Sequence, residues 1–213
     1  MEVTDDFDVS IEIMVIGQSG VGKTNLLQRY VNNKFSDSII PTISTDVFRV
    51  QDTFDGIKAR VKFWDTAGQE RFQALTASFY HNADAVVVVY DTTNKESFQK
   101  IPFWLSQVKI NCRKPVRLML IGNKNDLVSG RQIALEEAKS FAKHNDMMFF
   151  ETSAKTNEGE CVNTAFRSLI EETSKVLYVL VSNERKIQER VIRESITKIE
   201  ERPVKKKQKD SCC

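Results

Sequence analysis

Short apolar runs alternate with stretches of helical spacing along most of the chain. Ile11-Glu12-Ile13-Met14-Val15-Ile16 reads as a strand, and Val21 to Val31 as a helix with Leu26, Leu27 and Tyr30 on its inner face. Val47 to Val50 and Ala59 to Trp64 read as two strands around Asp55-Gly56, a turn signal. Ala85 to Tyr90 is almost pure valine, the pattern of a central strand covered on both faces. Beyond it come a helix over Ser97–Val108, a strand over Val116–Ile121, a helix over Leu135–His144, a short strand over Met147–Glu151 and a closing helix from Cys161 to about Leu180. Strands alternating with helices require crossover connections. The expected fold is therefore α/β: a mostly parallel six-stranded sheet with one antiparallel edge strand and helices on both faces. Ligands in such sheets bind beyond the carboxyl ends of the strands.

After Ser182 the pattern changes. Glu, Arg, Lys and Ile dominate until Pro203. Ile192, Ile196 and Ile199 keep helical spacing, which leaves an outward extension of the closing helix open. The polar composition fits a solvated, largely flexible tail better. The division expected is one globular domain over 8–180 and a tail over 181–213.

Composition narrows the class. With 213 residues, 41% hydrophobic and 28% charged, the chain is large enough for a core without staples. Its four cysteines show no spacing of a disulfide framework or zinc site. Glu2, Asp5, Asp6 and Asp8 exclude a signal peptide at the start, and no apolar run is long enough to span a bilayer. Net charge is only +2, but 184–213 holds ten Lys/Arg against six Asp/Glu. A basic end on a near-neutral body argues against nucleic-acid binding and fits a tail meeting an acidic membrane surface.

The chemistry lies in the segments after the strands. Gly17-Gln18-Ser19-Gly20-Val21-Gly22-Lys23-Thr24 matches G-x-x-x-x-G-K-[ST]. Glycines let several N–H groups turn inward on a β-phosphate, with the following helix adding its positive dipole end. Lys23 supplies a full charge to the β- and γ-phosphates, and the Thr24 hydroxyl is a Mg²⁺ ligand. This loop alone calls only for a nucleoside triphosphate, bound over Ser19, Gly20, Val21, Gly22, Lys23, Thr24 and Asn25. Asn123-Lys124-Asn125-Asp126 selects the base. One carboxylate, Asp126, can accept both N1–H and the exocyclic amine of guanine. Adenine would leave it unsatisfied, a mismatch that discriminates by about 10⁴. The Lys124 stem can lie along the base, and Asn123 can tie this loop to the phosphate loop. In Ser153-Ala154-Lys155 the Ala154 N–H can donate to guanine O6. Phe35 is a candidate for contact with the base edge. His81 and His144 are isolated surface residues, Cys112 and Cys161 packing residues, and Phe103-Trp104-Leu105 a helix-core cluster.

These motifs, with Trp64-Asp65-Thr66-Ala67-Gly68-Gln69-Glu70-Arg71-Phe72, Tyr90-Asp91-Thr92-Thr93 and Glu151-Thr152-Ser153-Ala154-Lys155, resemble the Ras superfamily of small GTPases and within it the Rab family. The Trp64 motif and the Cys212-Cys213 pair favour Rab. The resemblance implies a GTP-hydrolysing switch that regulates vesicle traffic; a Ras-like signalling switch and a non-cycling nucleotide-bound scaffold are the alternatives. It implies that Thr42 ligates Mg²⁺ only with the γ-phosphate present, that Asp65 holds Mg²⁺ through water, that the Gly68 N–H contacts the γ-phosphate and that Gln69 orients the attacking water. With no arginine clearly serving in cis, intrinsic turnover on the order of 10⁻⁴ to 10⁻³ s⁻¹ is expected. The implied partners are an exchange factor, a GTPase-activating protein, a GDP-dissociation inhibitor, an escort protein with geranylgeranyl transferase, and effectors that read Val47, Trp64 and Phe79. Simple core packing is the rival reading for Trp64 and Phe79. The resemblance also implies a monomer on the cytoplasmic face of an intracellular membrane, cycling with the cytosol. Asp210 stands where a C-a-a-X box needs cysteine, so two geranylgeranyl groups on Cys212 and Cys213 are implied; two chains with Lys205–Lys209 hold a membrane stably. Gln18, Ser44–Val47 and Phe79-Tyr80-His81-Asn82-Ala83 depart from the usual Rab pattern; these departures leave the chemistry intact and bear on the effector set and the subfamily.

Overall fold

The computed structural model describes residues 7–37, 46–66 and 79–200, with the side chains of all of these except 191 and 193–200. Its strands are β1 (Val9–Ile16), β2 (Asp46–Phe54), β3 (Ile57–Asp65), β4 (Ala85–Asp91), β5 (Arg117–Asn123) and β6 (Met148–Glu151). They form one sheet in the order β2-β3-β1-β4-β5-β6. Every pairing is parallel except β2 with β3, so the expected antiparallel strand lies at the edge. Asp55 and Gly56, both at positive φ, make the tight turn between those two strands.

The helices are α1 (Lys23–Asn32), α2 (Lys95–Gln99), α3 (Ile101–Asn111), α4 (Leu135–His144) and α5 (Cys161–Glu200). Strand alternation sends successive side chains to opposite faces, and each face has its own core. Ile11, Ile13 and Val15 of β1 join Leu26 and Leu27 of α1 and Phe166, Leu169 and Ile170 of α5. Met14 and Ile16 join Trp104, Leu105 and Val108 of α3 and Ala138 and Ala142 of α4. All seven residues of β4 are buried, as its valine run requires.

Two elements and one residue differ from the sequence expectation. The helix expected over Ser97–Val108 is two helices, α2 and α3, that meet at Lys100 just before Pro102 at the start of α3. Phe103 is half on the surface, whereas Trp104 and Leu105 are buried. The closing helix does not stop near Leu180 but continues to Glu200. Beyond Leu177, the last of the described residues packed on the core, its sequence contains no Gly or Pro and several opposite-sign pairs four residues apart, such as Arg185 with Glu189 and Arg190 with Glu194.

Candidate functional site

The loops after β1, β5 and β6 meet the end of β3 at the carboxyl end of the sheet. Between β1 and α1 the backbone turns through Gly17, Gly20 and Gly22, all at positive φ. Gly22 caps α1 in the left-handed region, and no side chain caps the helix. No acidic residue lies in its first turn either, so the free N–H groups and the dipole are left to a ligand. A Cβ on Gly22 would collide with the Asn123 amide, and one on Gly17 with the carbonyl of Val89. These two glycines let the loop press against β4 and β5.

Lys23 is buried, and its ammonium donates to the carbonyls of Gly17 at 2.9 Å and Gln18 at 3.1 Å. It therefore spans the mouth of the loop. Burial lowers its pKa to about 8, with Asp65 acting in the opposite direction. The Thr24 hydroxyl donates to Asp65 Oδ2 at 2.6 Å. Asp65 Oδ1 is buried and has no hydrogen-bond partner among the described residues. Burial raises the Asp65 pKa, against the Thr24 hydrogen bond and the charge of Lys23. A buried carboxylate oxygen with no donor, beside a threonine hydroxyl, is a hard-oxygen corner that fits Mg²⁺.

Asn123 is buried and joins three segments. Its amide donates to Val21 O at 2.9 Å, and its Oδ1 accepts from Ala154 N at 3.2 Å and Thr152 Oγ1 at 3.4 Å. Ala154 N–H is thus already held in a long bond. Lys124 adopts φ 66°, a left-handed conformation that costs a non-glycine residue about 1–2 kcal/mol. Its ammonium donates to Gly20 O at 2.8 Å and pairs with Asp91 Oδ2 at 2.6 Å. Its stem consequently crosses from the base loop to the phosphate loop. Ser153 Oγ accepts from the N–H groups of Lys155 and Thr156 and tightens the turn after β6. Asp126 is half-buried and Lys155 exposed. Ser19 is exposed at the loop, and Val21 is buried beneath it. Asn25 donates to Ser36 O at 2.9 Å, next to the half-buried Phe35.

Two contributors escaped the sequence reading. Arg29 of α1 donates to the carbonyls of Ala154 at 2.9 Å and Lys155 at 3.1 Å, pinning that turn from below. Asp91 anchors Lys124; the visible signal was a carboxylate ending an otherwise apolar buried strand. Val47, Trp64 and Phe79 come together: Val47 lies opposite Trp64, and the Trp64 and Phe79 rings are 4.3 Å apart. Trp64 and Phe79 are half-buried and pack on the second core, as the packing reading expects. Thr42, Gly68, Gln69, Cys212 and Cys213 lie outside the described residues.

A strand–loop–helix cradle for phosphate, locked to a base-facing turn by one buried asparagine, defines a P-loop nucleotide-binding protein. The model of the Ras family matches residues 12–175. The chain is 41% identical over 170 residues to Ras-related protein Rab-18-B of Danio rerio, covering 79% of this chain and 81% of that protein. It is 44% identical over 151 residues to human Ras-related protein Rab-15, covering 71% of each. It is 36% identical over 173 residues to the GTP-binding protein ypt3 of Schizosaccharomyces pombe, covering 81% of this chain and 80% of that protein. The chain belongs to the Ras family, with Rab proteins as its relatives, and is a small GTPase of membrane traffic. Among the described residues no helix is long and apolar enough to cross a membrane.

Proposed function

We propose that the chain cycles between a GTP form that partners read at a membrane and a GDP form that they release. The observation that supports this best is Asn123, whose one side chain ties the phosphate loop at Val21 to the base-facing turn at Ala154. Such a tie serves a ligand with phosphate at one end and a base at the other. The N–H groups of Ser19, Gly20, Val21 and Gly22 and the Lys23 ammonium hold the phosphates. Lys23 keeps its proton once a phosphate faces it. Asn25 and Phe35 border the base and sugar, Asp126 accepts from guanine N1–H and amine, and the Lys124 stem covers the base. Ser153 and Lys155 hold the turn that presents the Ala154 N–H to O6.

Mg²⁺ fits the Thr24–Asp65 corner, where it would neutralise charge between the β- and γ-phosphates. Thr24 and Thr42 would ligate it directly and Asp65 through water. Thr42 and Gly68 contact the γ-phosphate only while it exists, so their segments release after hydrolysis. Gln69 orients the attacking water. Gln69→Leu should slow single-turnover phosphate release by about tenfold or more at unchanged GTP affinity. Unchanged release would remove Gln69 from this role.

The same reading extends to the outside of the molecule. The globular unit is 8–180, and 181–213 leads to two geranylgeranyl groups on Cys212 and Cys213, which with Lys205–Lys209 hold the chain on the cytoplasmic face of an intracellular membrane. Intact-mass measurement on protein from its own cells should show two C20 additions; an unmodified chain on the membrane would contradict it. An exchange factor, a GTPase-activating protein, a GDP-dissociation inhibitor and an escort protein for the transferase act on a monomer. Effectors read Val47, Trp64 and Phe79.

A further inference from the structure

The outer face of the β2–β3 hairpin is a basic strip. Trp64 packs on the second core, so the residues that alternate with it, Lys58, Arg60 and Lys62, share its face of β3. Val47, Arg49 and Gln51 lie opposite Trp64, Lys62 and Arg60 and share that face too. Arg49, Lys58 and Arg60 are exposed, and Lys62 is half-exposed. The carboxylate among them on β1 is Glu12, which pairs with Lys62 at 3.7 Å and accepts the Trp64 indole N–H at 3.0 Å. Lys62 also lies over the Trp64 ring, 3.8 Å from its centre. Among the described residues two carboxylates, Glu12 and Asp8, stand beside these four cations, and the strip ends on Trp64 and Phe79.

The chain itself approaches this strip from the β1 side. The Asp8 carboxylate accepts the Lys58 N–H at 2.8 Å, and the Arg60 guanidinium stands over the Phe7 ring at 5.3 Å. Phe7 therefore turns back over the sheet rather than continuing along β1. Residues 1–6 precede it and carry Glu2, Asp5 and Asp6 with no cation side chain. Six residues reach about 20 Å, more than the roughly 13 Å from Arg60 to Trp64 along a strand.

We propose that the strip formed by Arg49, Lys58, Arg60 and Lys62 is a docking surface for an acidic peptide segment, and that its occupant in the free protein is residues 1–6 of this chain. A partner that covers Trp64 and runs along β3 has to displace that segment. This consequence rests on the partner-surface reading above; the docking does not.

The test is NMR on the full GDP-loaded chain, which reads neither hydrolysis nor partner binding. E2Q/D5N/D6N should shift the backbone amides of Arg49, Arg60 and Lys62 and the Trp64 indole N–H, and should make residues 2–6 more mobile. Raising salt from about 50 to about 500 mM, which cuts the Debye length several-fold, should move the unaltered chain toward the positions of the variant. R49Q/R60Q should free residues 2–6 in the same way, with the β4 and β5 amides unmoved as the control for folding. Shifts confined to residues 2–8, or amide positions indifferent to salt, would overturn the proposal.

Discussion

The carboxyl end of the sheet and the outer face of the β2–β3 hairpin are built on opposite principles. At the first, position is set by backbone: glycines at positive φ, buried carbonyls and one asparagine that satisfies three groups from two other segments. At the second, exposed side chains stand on an edge hairpin whose backbone would be the same for many sequences. A site of the first kind tolerates few residue types, because each substitution strands a buried polar group or forces a collision. A site of the second kind can change its residues, and with them its partners, without disturbing the nucleotide.

That contrast can be broken most severely at Asn123. Asn123→Ile removes the buried bonds to Val21 O and Ala154 N, each costing about 1–3 kcal/mol when its partner is left unpaired. GDP affinity should fall by about 10² to 10⁴, as read by displacement of a fluorescent GDP analogue. Gly22→Ala comes next. It combines a left-handed backbone that costs about 1–2 kcal/mol with a collision on the Asn123 amide, and should weaken binding about 10- to 100-fold in the same assay.

A smaller effect follows from Lys23. Burial lowers its pKa to about 8 in the protein without nucleotide. Phosphate favours the charged form, so binding above that pH takes up a proton. The association constant should be flat in this term below pH 8 and fall by up to about tenfold per unit above it. Equilibrium competition from pH 7 to 9 measures this; a constant affinity across that range would mean that Lys23 is fully charged before nucleotide binds. The smallest effect sharpens the other side of the comparison. Arg49→Ala, exposed on β2, should change GDP affinity by less than about twofold.

The same division explains what was legible in the sequence. The phosphate loop and the tie from Asn123 to it were readable because backbone geometry restricts them to a motif. The sheet was readable because β4 needs apolar residues on both faces, while β2, an edge strand with a polar outer face, was recognised over Val47–Val50 and runs over Asp46–Phe54. Arg29 was not readable. Its bonds to Ala154 and Lys155 span more than a hundred residues, and nothing in the local pattern of α1 distinguishes it from a surface arginine. The length of α5 was missed for another reason. Polar composition argues for a solvated segment, but helix propensity and opposite charges four residues apart act on exposed residues as well as buried ones. Trp64 divides the two cases, being held by core packing on one side and by Glu12 and Lys62 on the other.

The central claim is that the asparagine-locked turn presents Asp126 to guanine and to no other base. Competition of ADP against a fluorescent GDP analogue on the full chain tests it most directly. Discrimination of about 10⁴ is expected, so that a thousandfold excess of ADP displaces little of the analogue, and Asp126→Asn should reduce that preference for guanine. Displacement by ADP at concentrations close to those at which GDP competes would contradict the assignment of the site.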